Sequence, residues 1–152
     1  MRLCGPDGQS VELRVVGYQF PDLAEAEYDS NWLRIEGNVI HPRGQWSFRD
    51  PCLLTYEVSR LAEWLDAVAR NDPSADEIGF IEPNLSFRVI RSDASALLCV
   101  YFELESRPTW AESRAAGAND LCVQFPVDEL ALRQAARSLR QQLAAYPQRT
   151  EP

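Results

Sequence analysis

Trp46-Ser47-Phe48-Arg49-Asp50-Pro51 runs into Cys52-Leu53-Leu54-Thr55-Tyr56-Glu57-Val58, and the change of period across this junction decides the fold. Trp46-Ser47-Phe48 reads as a strand returning from the turn signal Pro42-Arg43-Gly44. Asp50 offers an N-cap carboxylate and Pro51 the pre-set φ of a first helical position, so a helix is expected near Asp50–Arg70. Leu54, Val58, Leu61, Leu65 and Val68 follow at intervals of four and three, the stripe of an amphipathic helix lying on a core. Asn71-Asp72-Pro73 ends it.

Upstream, the pattern has period two. Val11, Leu13 and Val15 alternate with Glu12 and Arg14, and Leu33, Ile35 and Val39 face away from Arg34, Glu36 and Asn38. Downstream the order repeats. Ile78 to Glu82 reads as a short strand and Pro83-Asn84 as a turn. Leu85, Phe87 and Val89 then alternate with Ser86 and Arg88. Leu98, Val100, Phe102 and Leu104 alternate with Cys99, Tyr101, Glu103 and Glu105, and Leu121 to Phe125 is the last strand. Asp128 caps a second helix with the stripe Leu132, Ala135, Ala136, Leu139, Leu143 and Tyr146, stopped by Pro147.

Most strands lie too close in sequence for parallel crossovers, so pairing is antiparallel. The expected class is α+β: an antiparallel sheet with the two helices on one face. Both helices follow a strand ending in Phe and then a Pro, at Phe48 to Pro51 and at Phe125-Pro126, which hints at a degenerate internal repeat. The 152 residues suit one domain, expected over 1–147, with 148–152 as a short frayed tail.

Fifteen basic and 23 acidic residues give a net charge of −8. That field repels phosphate, which argues against nucleic acid as a direct partner. Every basic residue is arginine, so surface ion pairs should be Arg–carboxylate forks. Cys4, Cys52, Cys99 and Cys122 form no CxxC pair, and three lie in apolar runs, which reads as reduced thiols. The segment Met1-Arg2-Leu3-Cys4-Gly5-Pro6 has no apolar core of an export signal, and no stretch approaches a membrane span. A cytoplasmic protein is expected.

Catalytic equipment is sparse. His41, the single histidine, precedes Pro42 at a turn, which removes His-based triads and His clusters. Phosphate loops, dinucleotide fingerprints and nucleophile elbows are missing from the sequence. No cofactor or metal is expected. The acidic loop carrying Asp22, Glu25, Glu27 and Asp29 lacks EF-hand spacing and glycine. It reads as a solvated loop or as a docking surface for a basic partner. Glu103 and Glu105 fall on the outward phase of one strand, to be matched by Arg across the sheet or used as acids. Trp32, on a polar phase, and Trp110, in the long loop from Ser106 to Asn119, are candidate interface anchors.

Four segments in order resemble the WapI-type immunity proteins of bacterial polymorphic and contact-dependent toxin systems. They are Gly17-Tyr18-Gln19-Phe20-Pro21; Tyr28-Asp29-Ser30-Asn31-Trp32-Leu33; Trp46-Ser47-Phe48 running into Asp50-Pro51-Cys52-Leu53-Leu54-Thr55; and Phe80-Ile81-Glu82-Pro83-Asn84-Leu85-Ser86-Phe87. The resemblance implies a small non-enzymatic protein that binds and neutralises a cognate toxin domain, in the namesake system one similar to a nuclease acting on transfer RNA. The expected partner is thus a protein, a basic toxin domain, met through Asp22, Glu25, Glu27, Asp29, Trp32, Glu103, Glu105 and Trp110. Two other classes fit the residues: a regulatory or scaffold domain, and a small ligand-binding or acid–base enzyme domain using Glu82, Glu103 or Glu105.

Overall fold

A computed structural model describes residues 1–23, 28–93, 95–111 and 121–149. Strands β1 (Arg2–Cys4), β2 (Ser10–Tyr18), β3 (Trp32–His41) and β4 (Gly44–Leu54) form an antiparallel sheet in chain order, followed by helix α1 (Thr55–Ala69). Strands β5 (Glu77–Gly79), β6 (Leu85–Arg91), β7 (Ala96–Phe102) and β8 (Cys122–Pro126) form a second antiparallel sheet, again in chain order, followed by α2 (Glu129–Leu143). The class is α+β, with the strands divided between two meanders rather than gathered in one sheet. The element order of the first half is repeated by the second, which gives the Phe–Pro rhythm a structural counterpart.

Both helices lie on one face of the first sheet. Leu13, Val15, Ile35 and Leu53 meet Val58 and Leu61 of α1 and Leu139 of α2 around one small gap. Arg140 clamps the helices together through Asp66 at 2.7 Å. The second sheet meets α1 through Phe87, whose ring lies 6.2 Å from Trp64. The two sheets join through aromatic rings: Trp46 of β4 stands edge-on to Phe102 of β7 at 5.2 Å. Its indole N–H donates to the Ser106 carbonyl at 2.9 Å. One hydrophobic cluster therefore runs from Leu3 and Val11 to Phe125 and Leu139. The apolar phases expected of β2, β3 and β6 and both helical stripes up to Leu139 are buried in it, except that Val15 is half-buried against it and Leu54 is buried outside it.

The first helix starts later than Asp50-Pro51 implies. β4 continues to Leu54 and α1 begins at Thr55. Proline is tolerated here because β4 pairs on one side only, with β3. Leu33 faces Leu53 and Ile35 faces Asp50, so Pro51 and Cys52 together oppose Arg34, a bulge. The capping role passes to Glu57, whose Oε2 accepts the Leu54 backbone N–H at 3.0 Å. At the far end Asn71 takes φ 57°, the left-handed conformation that closes many helices. Asp128 caps α2 as expected, accepting the Ala131 N–H at 2.7 Å.

Among the described residues ion pairing is by arginine: Arg14 and Arg49 both pair with Glu36, one on each carboxylate oxygen, Arg88 with Glu77, and Arg91 with Asp76. Arg149, inside the stretch expected as a tail, donates its backbone N–H to Asn31 Oδ1 at 2.9 Å and stacks on the Tyr18 ring at 3.6 Å.

Candidate partner-binding site

The seam between the two halves opens into a cleft of about 410 Å³. Asp29 and Trp32 come from the turn before β3 and its first residue, Asp50 from β4 just before its bulge, Glu82 from the turn before β6, and Glu105 from the turn after β7. Gln19 and Phe20, just beyond β2, form another wall. Four carboxylates thus converge on one opening from four separate places in the sequence. Among the described residues none of the four takes part in an ion pair, whereas Glu36, Glu77 and Glu103 each do.

Asn84 organises the floor. It is 1% exposed, and its amide donates to Asp50 Oδ2 and Glu105 Oε2, both at 3.3 Å. Its carbonyl accepts the Glu103 backbone N–H at 2.9 Å and the hydroxyl of the fully buried Ser106. The neutral amide thereby holds two carboxylates near each other without cancelling their charge. Burial pushes the Asp50 carboxyl above the ordinary aspartate range, and the negative charges of Glu105 and Glu82 push it in the same direction. A cation placed in the cleft would relieve that repulsion.

Phe20, Trp32 and Pro51 give the cleft apolar walls, and Phe20 is 41% exposed. Ile81 and Leu104, the chain neighbours of Glu82 and Glu105, are each 56% exposed. Leu104 holds φ 48°, a conformation seldom adopted by a residue with a branched side chain. Within the turn, the Arg107 N–H closes onto the Leu104 carbonyl at 3.1 Å, and the Glu103 carbonyl, 2.7 Å from the Ser106 Oγ, shares that hydroxyl's one proton with the Asn84 carbonyl.

The sequence-derived candidates divide accordingly. Asp29 and Trp32 are joined, the indole donating to Asp29 Oδ1 at 3.2 Å, and both line the cleft with Glu105. Asp22 is exposed on the loop leading toward them. Glu25 and Glu27 lie outside the described residues. Glu103 and Glu105 do not share an outward strand face, because β7 stops at Phe102 and the chain turns through Leu104–Ser106. Glu103 instead borders a separate hollow with Arg88 and Tyr101, and pairs with Arg107 at 3.5 Å. Trp110 caps the β3–β4 turn away from the cleft, edge-on to Trp46 at 5.7 Å and 5.5 Å from the Arg43 guanidinium.

Sequence reasoning did not single out Asp50, Asn84 or Phe20 for this site. Asp50 reads as a helix cap and Asn84 as a turn residue. Only the pairing of the two halves brings them together. The motif strings that carried the family resemblance do contain all three, along with Glu82, Asp29 and Trp32.

Elsewhere the chemistry is muted. His41 Nδ1 accepts the Arg43 N–H at 3.1 Å, and burial, then Arg43, lowers its pKa. Cys52 and Cys99 are buried thiols, both pushed up by burial. Cys122 is half-buried and Cys4 exposed. Among the described residues no cluster of His, Cys, Asp or Glu is arranged to hold a metal ion, and no helix is long and apolar enough to cross a membrane.

Compared with known proteins, residues 2–147 match the model of the immunity protein WapI-like family. The chain belongs to that family. Neither a curated protein nor a solved structure matches it.

Proposed function

We propose, from this membership of the WapI-like immunity protein family, that the protein binds a toxin domain in the cytoplasm and neutralises it by covering its active surface, without chemistry of its own. The observation that carries the reading is the cleft: Asp29, Asp50, Glu82 and Glu105 converge without a cationic partner among the described residues, beside the apolar walls of Phe20, Trp32 and Pro51. That arrangement suits an arginine or lysine side chain presented by a basic protein. A nuclease, basic where it meets phosphates, is the toxin class this charge fits best. Residues 1–147 act as one binding unit, since the cleft takes walls from both halves.

Division of labour follows. Asp22, Glu25 and Glu27 on the approach loop, with the cleft carboxylates, speed encounter through a field screened within about 8 Å at physiological salt. Glu103 supports the turn that carries Glu105. Trp32, desolvated on contact, slows dissociation, with Trp110 as a more distant anchor.

The test is co-expression with the toxin domain encoded beside this gene. Wild type should rescue growth, and a D50N/E82Q/E105Q variant should associate more slowly, with a flatter salt dependence. Trp32→Ala should mainly raise the dissociation rate. Failure to rescue, or turnover of a small molecule by the purified protein, would remove the immunity reading.

A further inference from the structure

Phe20 forms one wall of the cleft, yet it sits beyond the end of β2, on a segment with few backbone bonds among the described residues. Gln19 N–H donates to the Trp32 carbonyl at 2.8 Å, and the Leu23 N–H to the Phe20 carbonyl at 3.3 Å. Arg34 donates to the Gln19 carbonyl at 3.4 Å, and further support comes from far along the chain. The Arg149 guanidinium donates to the carbonyls of Phe20 at 3.1 Å, Pro21 at 3.2 Å and Leu23 at 3.5 Å. The same guanidinium lies on the face of the Tyr18 ring. Tyr18 is itself fixed, edge-on to Tyr146 at 5.6 Å and with its hydroxyl donating to the Pro147 carbonyl. The Arg149 backbone N–H donates to Asn31 Oδ1, which also accepts the Thr55 hydroxyl at 3.0 Å at the start of α1. Three carbonyls, one ring and one buried amide therefore converge on a single residue more than 120 positions away from the loop it holds.

We infer that Arg149 is a positioning residue for the cleft: it latches residues 20–23 so that Phe20 stands as the wall against which a partner's cationic side chain packs. This rests on the cleft being the partner-binding site. The fork is specific to arginine. Lysine keeps the charge but cannot reach three carbonyls while stacking on a ring. The charge itself works against binding a basic partner, since a cation beside an acidic cleft weakens its field. Loss of the latch and loss of the charge thus act in opposite directions on affinity, which separates positioning from electrostatics.

The experiment uses the full chain and its R149A, R149K, F20A and F20A/R149A variants. Amide hydrogen exchange of the free proteins reads the latch directly. Exchange at Leu23 should speed up about tenfold or more in R149A and R149K, with α1 and β3 unchanged; unchanged exchange at Leu23 would overturn the latch. Binding of an octa-arginine peptide reads the wall. Affinity should fall about three- to tenfold in R149A despite the more negative cleft, fall in R149K also, and fall no further in F20A/R149A than in the weaker single variant. Tighter binding by R149A, or additive losses in the double variant, would overturn positioning. If wild type does not bind the peptide at salt low enough to leave charges unscreened, the acidic-cleft reading fails and the positioning claim with it, while the exchange data still decide the latch.

Discussion

Glu57 and Ile81 are joined across the two halves of the chain: Oε1 of the fully buried Glu57 accepts the Ile81 backbone N–H at 2.8 Å, while Oε2 accepts that of Leu54. One carboxylate thus caps α1 and fastens the turn that carries Glu82. Glu57→Ala leaves two backbone donors without partners and should cost about 2–4 kcal/mol. Glu57→Gln keeps one strong acceptor and should cost less. Chemical denaturation of both variants checks the order.

Asp50→Asn should stabilise the protein at neutral pH while weakening its hold on a basic partner. In the folded state the Asp50 carboxyl is raised, so the native protein binds its proton more tightly than the unfolded chain does. Its contribution to stability therefore grows as pH falls through the window from that raised value down to the ordinary aspartate range. The excess melting temperature of D50N over wild type should shrink across the same window. Glu36 and Asp72, both lowered by hydrogen bonds, act with the opposite sign, so the difference between the two proteins is the quantity to read.

Gly37 of β3 lies directly opposite Phe48 of β4, and a β-carbon there would overlap the Phe48 ring. Gly37→Ala should destabilise by about 1–3 kcal/mol, as overpacking does. Combining it with Phe48→Leu should recover part of the loss. A thermodynamic cycle showing no coupling would mean the ring swings aside freely.

Leu61 and Leu139 pack from different helices against the same sheet face, 0% and 3% exposed. Each change to Ala should cost about 2–5 kcal/mol in denaturation experiments. The pair borders one gap, so the double variant should depart from additivity.

Much of this architecture was legible in the sequence because its signals are local. Period two marked β2, β3 and β6, and the intervals of four and three marked α1 and α2. Asp128 capped its helix as its position implied. Asp50-Pro51 misled because cap chemistry and a bulge in a strand paired on one side use the same two residue types, and only the neighbour decides between them. The division into two sheets was hidden for a similar reason: spacing shows which strands form hairpins, not which hairpins share a sheet. Glu57 carried no signal in the sequence, since both of its donors are backbone groups that leave no mark there. Among the site residues, Asp29, Trp32 and Glu105 were singled out, whereas Asp50 and Asn84 were read only for their local conformational roles.

The placement of the cleft on the seam has a consequence for quality control. Asp29, Trp32 and Asp50 belong to the first half, and Glu82, Asn84 and Glu105 to the second. On the proposed reading of the cleft as the partner's site, neither half carries that surface alone, so a nascent or partly opened molecule would offer only fragments of it. Occupancy of the cleft would then draw the equilibrium toward the fully docked form by mass action. A partner bound there would act as a late chaperone for the chain it binds, and incompletely folded copies would not compete with finished ones for it.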